Sequence, residues 1–238
     1  MAKPCQRFKL LLALTLLLGV IFSHFQLVNW AFASTAEEGL ANRREQLLAT
    51  MIEEYLKLTD YELVQSKALV QSVLADEEVQ RTHSDLMEAE RRIMENFVRQ
   101  VVDKEQEEPP TRSNIANRLF YLIAKSLIYQ EFEAILRRHD TTNPRRKFSP
   151  ENYLIERALK RSGLDNLQRR VTRKQIKFMS DFVKDVDAYL AHLTPEERRT
   201  DEVEAQKMVE WSAKMKAESD VELRMETFKD FMRFFVKF

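Results

Sequence analysis

Residues 113–138, SNIANRLFYLIAKSLIYQEFEAILRR, decide the fold class. Between Leu119 and Tyr129 only Lys125 and Ser126 are polar, so a helix here is apolar nearly all round its circumference. The expectation is a helix over 114–138, capped by the Ser113 hydroxyl, forming the buried centre of the fold. It is too short and too interrupted for a membrane span, which takes about 20 apolar residues.

The sequence around it is written for helices. Only Gly39 and Gly163 lie beyond the first 33 residues, and charged residues make up 32 % of the chain. Strand-rich folds need turn glycines at short intervals, whereas helices exclude them. The expected fold is all-α, a helical bundle with long amphipathic helices following an N-terminal signal or anchor segment. No internal repeat or low-complexity segment stands out.

Caps and prolines set the boundaries. From about Glu37 to Gln106 the period is helical, with breaks expected near Thr59-Asp60 and near Asp76, and Pro109-Pro110 ends the region. Leu47, Leu48, Met51, Ile52, Tyr55, Leu56 and Leu58 form one expected apolar face, and Leu86, Ile93, Phe97 and Val101 another. Ser149-Pro150-Glu151 starts a short helix that Gly163 should end. A long helix over 164–193 carries a heptad-like seam of Met179, Val183, Val186, Leu190 and Leu193. Thr194-Pro195-Glu196-Glu197 caps the next segment, its acidic pair suiting the positive end of the helix dipole, and a break is expected near Ser219-Asp220. Three regions follow: a leader at 1–33, an acidic helical region at 34–110, and a helical region at 111–238.

The leader decides on which side of a membrane the rest works. Lys3, Arg7 and Lys9 precede the apolar run Leu10 to Phe22, and the stretch closes on Ala31-Phe32-Ala33, the small-residue pattern a signal peptidase requires. Cleavage after Ala33 is the first reading and an uncleaved anchor the second, with Ser23, His24, Gln26 and Asn29 opposing the anchor. Both readings put the bulk of the chain on the non-cytoplasmic side: periplasmic, lumenal or secreted after cleavage, single-pass anchored otherwise. The only cysteine, Cys5, lies before the apolar run, so no disulfide forms within residues 34–238 and packing alone must hold them. With no N-x-S/T sequon either, a bacterial periplasm or a thylakoid-like lumen fits somewhat better than a eukaryotic secretory route.

Catalytic motifs are sparse. His83, His139 and His192 belong to neither H-E-x-x-H nor paired E-x-x-H patterns, and no G-x-S-x-G, P-loop or G-x-G-x-x-G occurs. His139-Asp140 is read as the frayed end of a helix rather than a metal dipeptide. No cofactor and no metal is expected.

Charge is segregated. Residues 34–110 hold 18 acidic and 9 basic residues, net −9, whereas residues 137–177 hold 13 basic and 4 acidic, net +9, in a chain that is neutral overall. Arg137, Arg138, Arg145, Arg146, Lys147, Arg169, Arg170, Arg173 and Lys174 are the candidate surface for an anionic partner, whether an acidic protein or an anionic membrane. The competing reading folds this segment against the acidic region of its own chain. Nucleic acid is disfavoured, since only Phe148, Tyr153 and Phe178 are there to stack on bases.

Five of the fifteen phenylalanines fall at the end of the chain: Phe228, Phe231, Phe234, Phe235 and Phe238. On a helix they share a wide aromatic arc with Val221, Met225, Met232 and Val236, a candidate hydrophobic docking face unless the protein's own core takes it. The sequence therefore points to an exported, non-enzymatic helical protein acting through protein-protein interaction, a candidate subunit or assembly factor of an envelope or membrane complex. A homo-oligomer is open. The alternatives are a membrane-surface protein binding anionic lipid through the basic segment and aromatic C-terminus, and a hydrolase with buried carboxylates.

Overall fold

A computed structural model describes residues 35–111, 114–200 and 202–236; the leader, Ser113 and Phe238 lie outside them. The chain is all-α, with nine helices and no strand among the described residues. They are α1 (Thr35–Leu74), α2 (Glu77–Arg81), α3 (Asp85–Gln106), α4 (Ile115–His139), α5 (Pro150–Arg161), α6 (Leu164–His192), α7 (Pro195–Thr200), α8 (Glu202–Ala217) and α9 (Val221–Val236).

The caps explain the boundaries. Asp76 accepts from the backbone N–H groups of Glu78 and Val79 and starts α2, and Ser84 accepts from Met87 N–H and starts α3. α3 stops at Gln106, before Pro109-Pro110. Ser149 and Asn152 form a reciprocal capping box on α5, with Pro150 at the first helical position. Gly163, at φ +94°, turns the chain from α5 into α6 in a backbone region that other residues adopt only under strain. Thr194 and Glu197 form a second reciprocal cap at α7, and Asp220 caps α9.

Two boundary expectations are corrected. The break at Thr59-Asp60 is absent: α1 runs unbroken for 40 residues. Thr59 is buried and its hydroxyl donates to Tyr55 C=O at 2.9 Å, satisfying inside the helix the group that suggested a break. The cap of α4 is Asn114, whose side chain accepts from Asn117 N–H, one residue later than expected.

The described residues form two compact units, 49–180 and the pair of segments 35–48 and 181–236. The larger has a continuous core in which Leu63, Val70 and Val73 of α1, Met87, Met94, Phe97 and Val101 of α3, Phe132 and Ile135 of α4, and Ile155 and Leu159 of α5 are buried together. The rings of Phe97 and Phe132 stack with centroids 5.8 Å apart. Pro109-Pro110 separates helices inside this unit and does not divide the units.

Of the expected α3 face, Phe97 and Val101 are buried and Ile93 packs half-buried against the core, but Leu86 turns outward. Met87, Glu90, Met94, Phe97 and Val101 face inward, and Leu86 is 41 % exposed. Glu90 holds a core position between Met87 and Met94.

The expectation for α4 is corrected more deeply. It is not buried all round: its buried stripe is Arg118, Tyr121, Leu122, Lys125, Phe132, Ile135 and His139. Leu119, Phe120 and Ile123 are only half-buried and Leu127 is 39 % exposed. Lys125, one of two polar interruptions in the apolar run, points inward while a leucine points out.

In the smaller unit the inward residues of α6, α8 and α9 meet in an aromatic cluster. Phe182 packs edge-on against Phe228 and Phe231, at 5.1 and 4.8 Å between centroids, and Trp211 packs edge-on against Phe231 at 5.2 Å. Arg43 and Arg44 of α1 pair with Glu197 and Glu204. Ser212 donates to Asp187 at 2.7 Å, and Lys216 pairs with the same carboxylate.

Candidate functional site

The larger unit brings much of the basic segment onto the acidic one. Arg161 grips Asp76 through both oxygens, at 2.9 and 3.2 Å, and reaches Glu78 at 2.8 Å. Arg157 lies 3.6 Å from Glu78, and Arg138 lies 3.3 Å from Glu90. Arg170 donates to Gln65 at 3.0 Å, and Lys174 sits 4.4 Å from the centre of the Tyr61 ring. Arg146 donates to Arg137 C=O at 2.8 Å and lies over Phe148, while Arg137 pairs with Glu133 within its own helix. Four of the nine candidate residues, Arg145, Lys147, Arg169 and Arg173, are exposed with no side-chain partner among the described residues. Arg145 and Lys147 belong to the loop before α5, and Arg169 and Arg173 lie one turn apart on α6.

The aromatic C-terminus divides differently. Phe228 and Phe231 are wholly buried in the smaller unit, so these two residues of the candidate docking face are core residues. Phe234 is half-buried, edge-on to Trp211 at 5.1 Å and 4.2 Å beneath Lys207 Nζ. Phe235 belongs to α9, though its side chain is not among those described, and Phe238 falls outside the described residues.

The buried carboxylates are each already engaged. Glu62 accepts from Gln175 at 2.8 Å, and Glu197 serves both its cap and Arg43. Glu90 stands 3.3 Å from both Arg138 and His139. Burial alone would raise its pKa, but the opposing influence of His139 and Arg138 holds it below the usual glutamate value. Asn152 fixes the imidazole: its Oδ1 accepts from Ser149 N–H, so its amide NH₂ faces His139 Nδ1 at 3.1 Å. Nδ1 is then the acceptor, and Nε2 faces Glu90 at 3.3 Å. Among the described residues no group of three or more His, Cys, Asp or Glu is placed to hold a metal ion, and no helix is long and apolar enough to cross a membrane.

Two further features arise only in three dimensions. The first is the outward face of α4. At 100° per residue, Leu119, Ile123 and Leu127 lie on the side opposite the buried stripe, with Phe120 beside them. The second is a cleft of about 640 Å³ in the larger unit. α1 contributes Glu53, Leu56, Lys57, Asp60, Leu63 and Val64; α3 contributes Val101, Lys104 and Glu105. The turn at Glu107, Pro109, Pro110 and Thr111 closes one end, and Arg118, Tyr121 and Lys125 of α4 complete the lining. Arg118 pairs with Glu53, Lys125 with Asp60 and Lys104 with Glu107. The ammonium groups of Lys104 and Lys125 lie 4.8 and 4.5 Å from the centre of the Tyr121 ring.

Cations gathered from three separate stretches of chain, two of them around the one Tyr121 ring, have no signature in the sequence. Only the lone Lys125 inside an apolar run hinted at them. Compared with known proteins, the chain matches no family model, no curated protein and no solved structure.

Proposed function

We propose that this is an exported, non-enzymatic helical protein that works by binding another protein, as a subunit or assembly factor of an envelope or membrane complex, and that the partner lays a helix along the outward face of α4. The observation that supports this reading is the placement of Leu119, Phe120, Ile123 and Leu127, with Leu127 39 % exposed. Fully burying one such side chain is worth about 1.5–3 kcal/mol, so covering four half-buried ones gains several kcal/mol that the isolated chain forgoes. Leu119, Ile123 and Leu127 recur every four residues, which makes a ridge suited to the groove of another helix. Export rests on the leader, with its basic flank, short apolar run and Ala31-Phe32-Ala33 ending.

The test is made on native membranes solubilised in mild detergent. The wild-type chain should migrate within a species larger than its own 28.2 kDa mass, and an Ile123→Asp/Leu127→Asp double variant should leave that species while keeping its helical circular dichroism. A folded double variant that stays in the large species would overturn the reading, as would a wild-type chain that migrates alone.

A second reading, a protein bound to anionic lipid, is favoured by the four exposed cations without described partners: Arg145, Lys147, Arg169 and Arg173. Flotation with anionic liposomes decides it. Binding that disappears in Arg169→Glu/Arg173→Glu supports it, and no flotation of the wild type rules it out.

A further inference from the structure

We infer that the cleft between α1, α3 and α4 is a binding site for an amphipathic monoanion, a carboxylate carried on an apolar chain. The inference does not depend on the partner reading above, because Arg118, Tyr121 and Lys125 lie on the buried stripe of α4 and the partner face is opposite.

The ion pairs of the cleft are asymmetric in exposure. The side chains of Arg118 and Lys125 are each only 10 % exposed, whereas their partners Glu53 and Asp60 are 25 % and 49 % exposed. The cations form the floor of the cleft and the carboxylates its rim. A rim carboxylate that swings into water is rehydrated at little cost, because it already stands partly in solvent. A floor cation left alone is costly, because an uncompensated buried charge destabilises strongly. Asp60, the more exposed of the two, therefore acts as a placeholder that another carboxylate can replace. Among the described residues the buried Nε of Arg118 has no hydrogen-bond partner.

The remaining lining selects what carries the charge. Leu56, Leu63 and Val101 are buried apolar walls, and Val64 stands at the mouth, 43 % exposed. A small inorganic anion would leave these walls unfilled, while an apolar chain in a cleft of about 640 Å³ covers them. Among the described lining residues four bases, Lys57, Lys104, Arg118 and Lys125, face four acids, Glu53, Asp60, Glu105 and Glu107. The displaced carboxylate stays on the chain at the rim, so a bound monoanion adds one negative charge to the cleft, where a dianionic phosphate adds two.

Dodecanoate is the probe, titrated into the full chain and followed by calorimetry. Dodecanol supplies the same chain without charge, and acetate the charge without the chain. Saturable binding of dodecanoate is expected, with dodecanol and acetate weaker by about tenfold or more. Lys125→Met removes one floor cation, and Val64→Glu adds a negative charge at the exposed mouth without touching the core; each should weaken dodecanoate by about tenfold. Leu127→Asp, on the opposite face of α4, should bind like the wild type, so loss of the protein partner and loss of the ligand are separable. The inference is overturned if dodecanol binds as tightly as dodecanoate, if the wild type does not bind dodecanoate, or if folded Val64→Glu binds it unchanged.

Discussion

Phe231→Ala is the sharpest probe of how the smaller unit is held together. The ring is wholly buried and meets two others edge-on, Phe182 at 4.8 Å and Trp211 at 5.2 Å. Deleting such a ring costs about 3–5 kcal/mol, combining lost transfer energy with the cavity left behind. Each edge-to-face contact supplies about 0.5–1.5 kcal/mol of that. Phe231→Leu, which keeps most of the volume but loses both contacts, should therefore cost about 1–3 kcal/mol. Phe234 is half-buried and touches Trp211 on one side, so Phe234→Ala should cost about 1–2 kcal/mol. The chain has two tryptophans, Trp30 and Trp211, so in a Trp30→Phe background the fluorescence comes from Trp211, inside the cluster. With a urea dependence of about 1–3 kcal/mol per molar, the Trp211 midpoint of Phe231→Ala should fall by roughly 1–5 M. An unchanged midpoint, or a larger loss for Phe234→Ala than for Phe231→Ala, would refute the packing described.

Other outcomes follow from the larger unit. Leu122→Asp buries an unpaired carboxylate and should cost about 3 kcal/mol or more, whereas Ile123→Asp, one residue on but turned outward, should cost about 1 kcal/mol or less; urea midpoints compare them. Glu90 has a folded-state pKa below its unfolded value, so its contribution is present above the unfolded pKa and lost as pH falls through the folded one. Urea titrations from neutral pH into the acid range should lose stability less steeply in Glu90→Gln than in the wild type. Ser149→Ala removes the α5 cap and should cost about 1 kcal/mol, read as a lower urea midpoint.

Much of the fold was legible because its signals are local. Ser149-Pro150, Gly163, Thr194-Pro195 and Asp220 each act on a backbone within a few residues, and each marks a boundary in the structure. The seam residues Met179, Val183, Val186, Leu190 and Leu193 are all buried, as their spacing implied. What misled was polarity taken as a proxy for exposure. Thr59 stays in a helix by bonding back to Tyr55, Glu90 sits in the core beside His139 and Arg138, and Lys125 turns inward because Asp60 and the Tyr121 ring receive it. Each depends on a partner that the fold alone brings near. The charge segregation was visible as composition, but which basic residues pair and which stay exposed was not. Arg161 finds Asp76 across 85 residues of sequence.

On the proposed reading, α4 turns one face into the protein and offers the other to a partner protein. A photoactivatable residue placed at Leu127 in the native host tests it most directly, with Leu122, on the buried stripe, as the control. A discrete protein adduct is expected from position 127 and none from position 122. Cross-links from position 127 to lipid alone, or no adduct at either position, would contradict it.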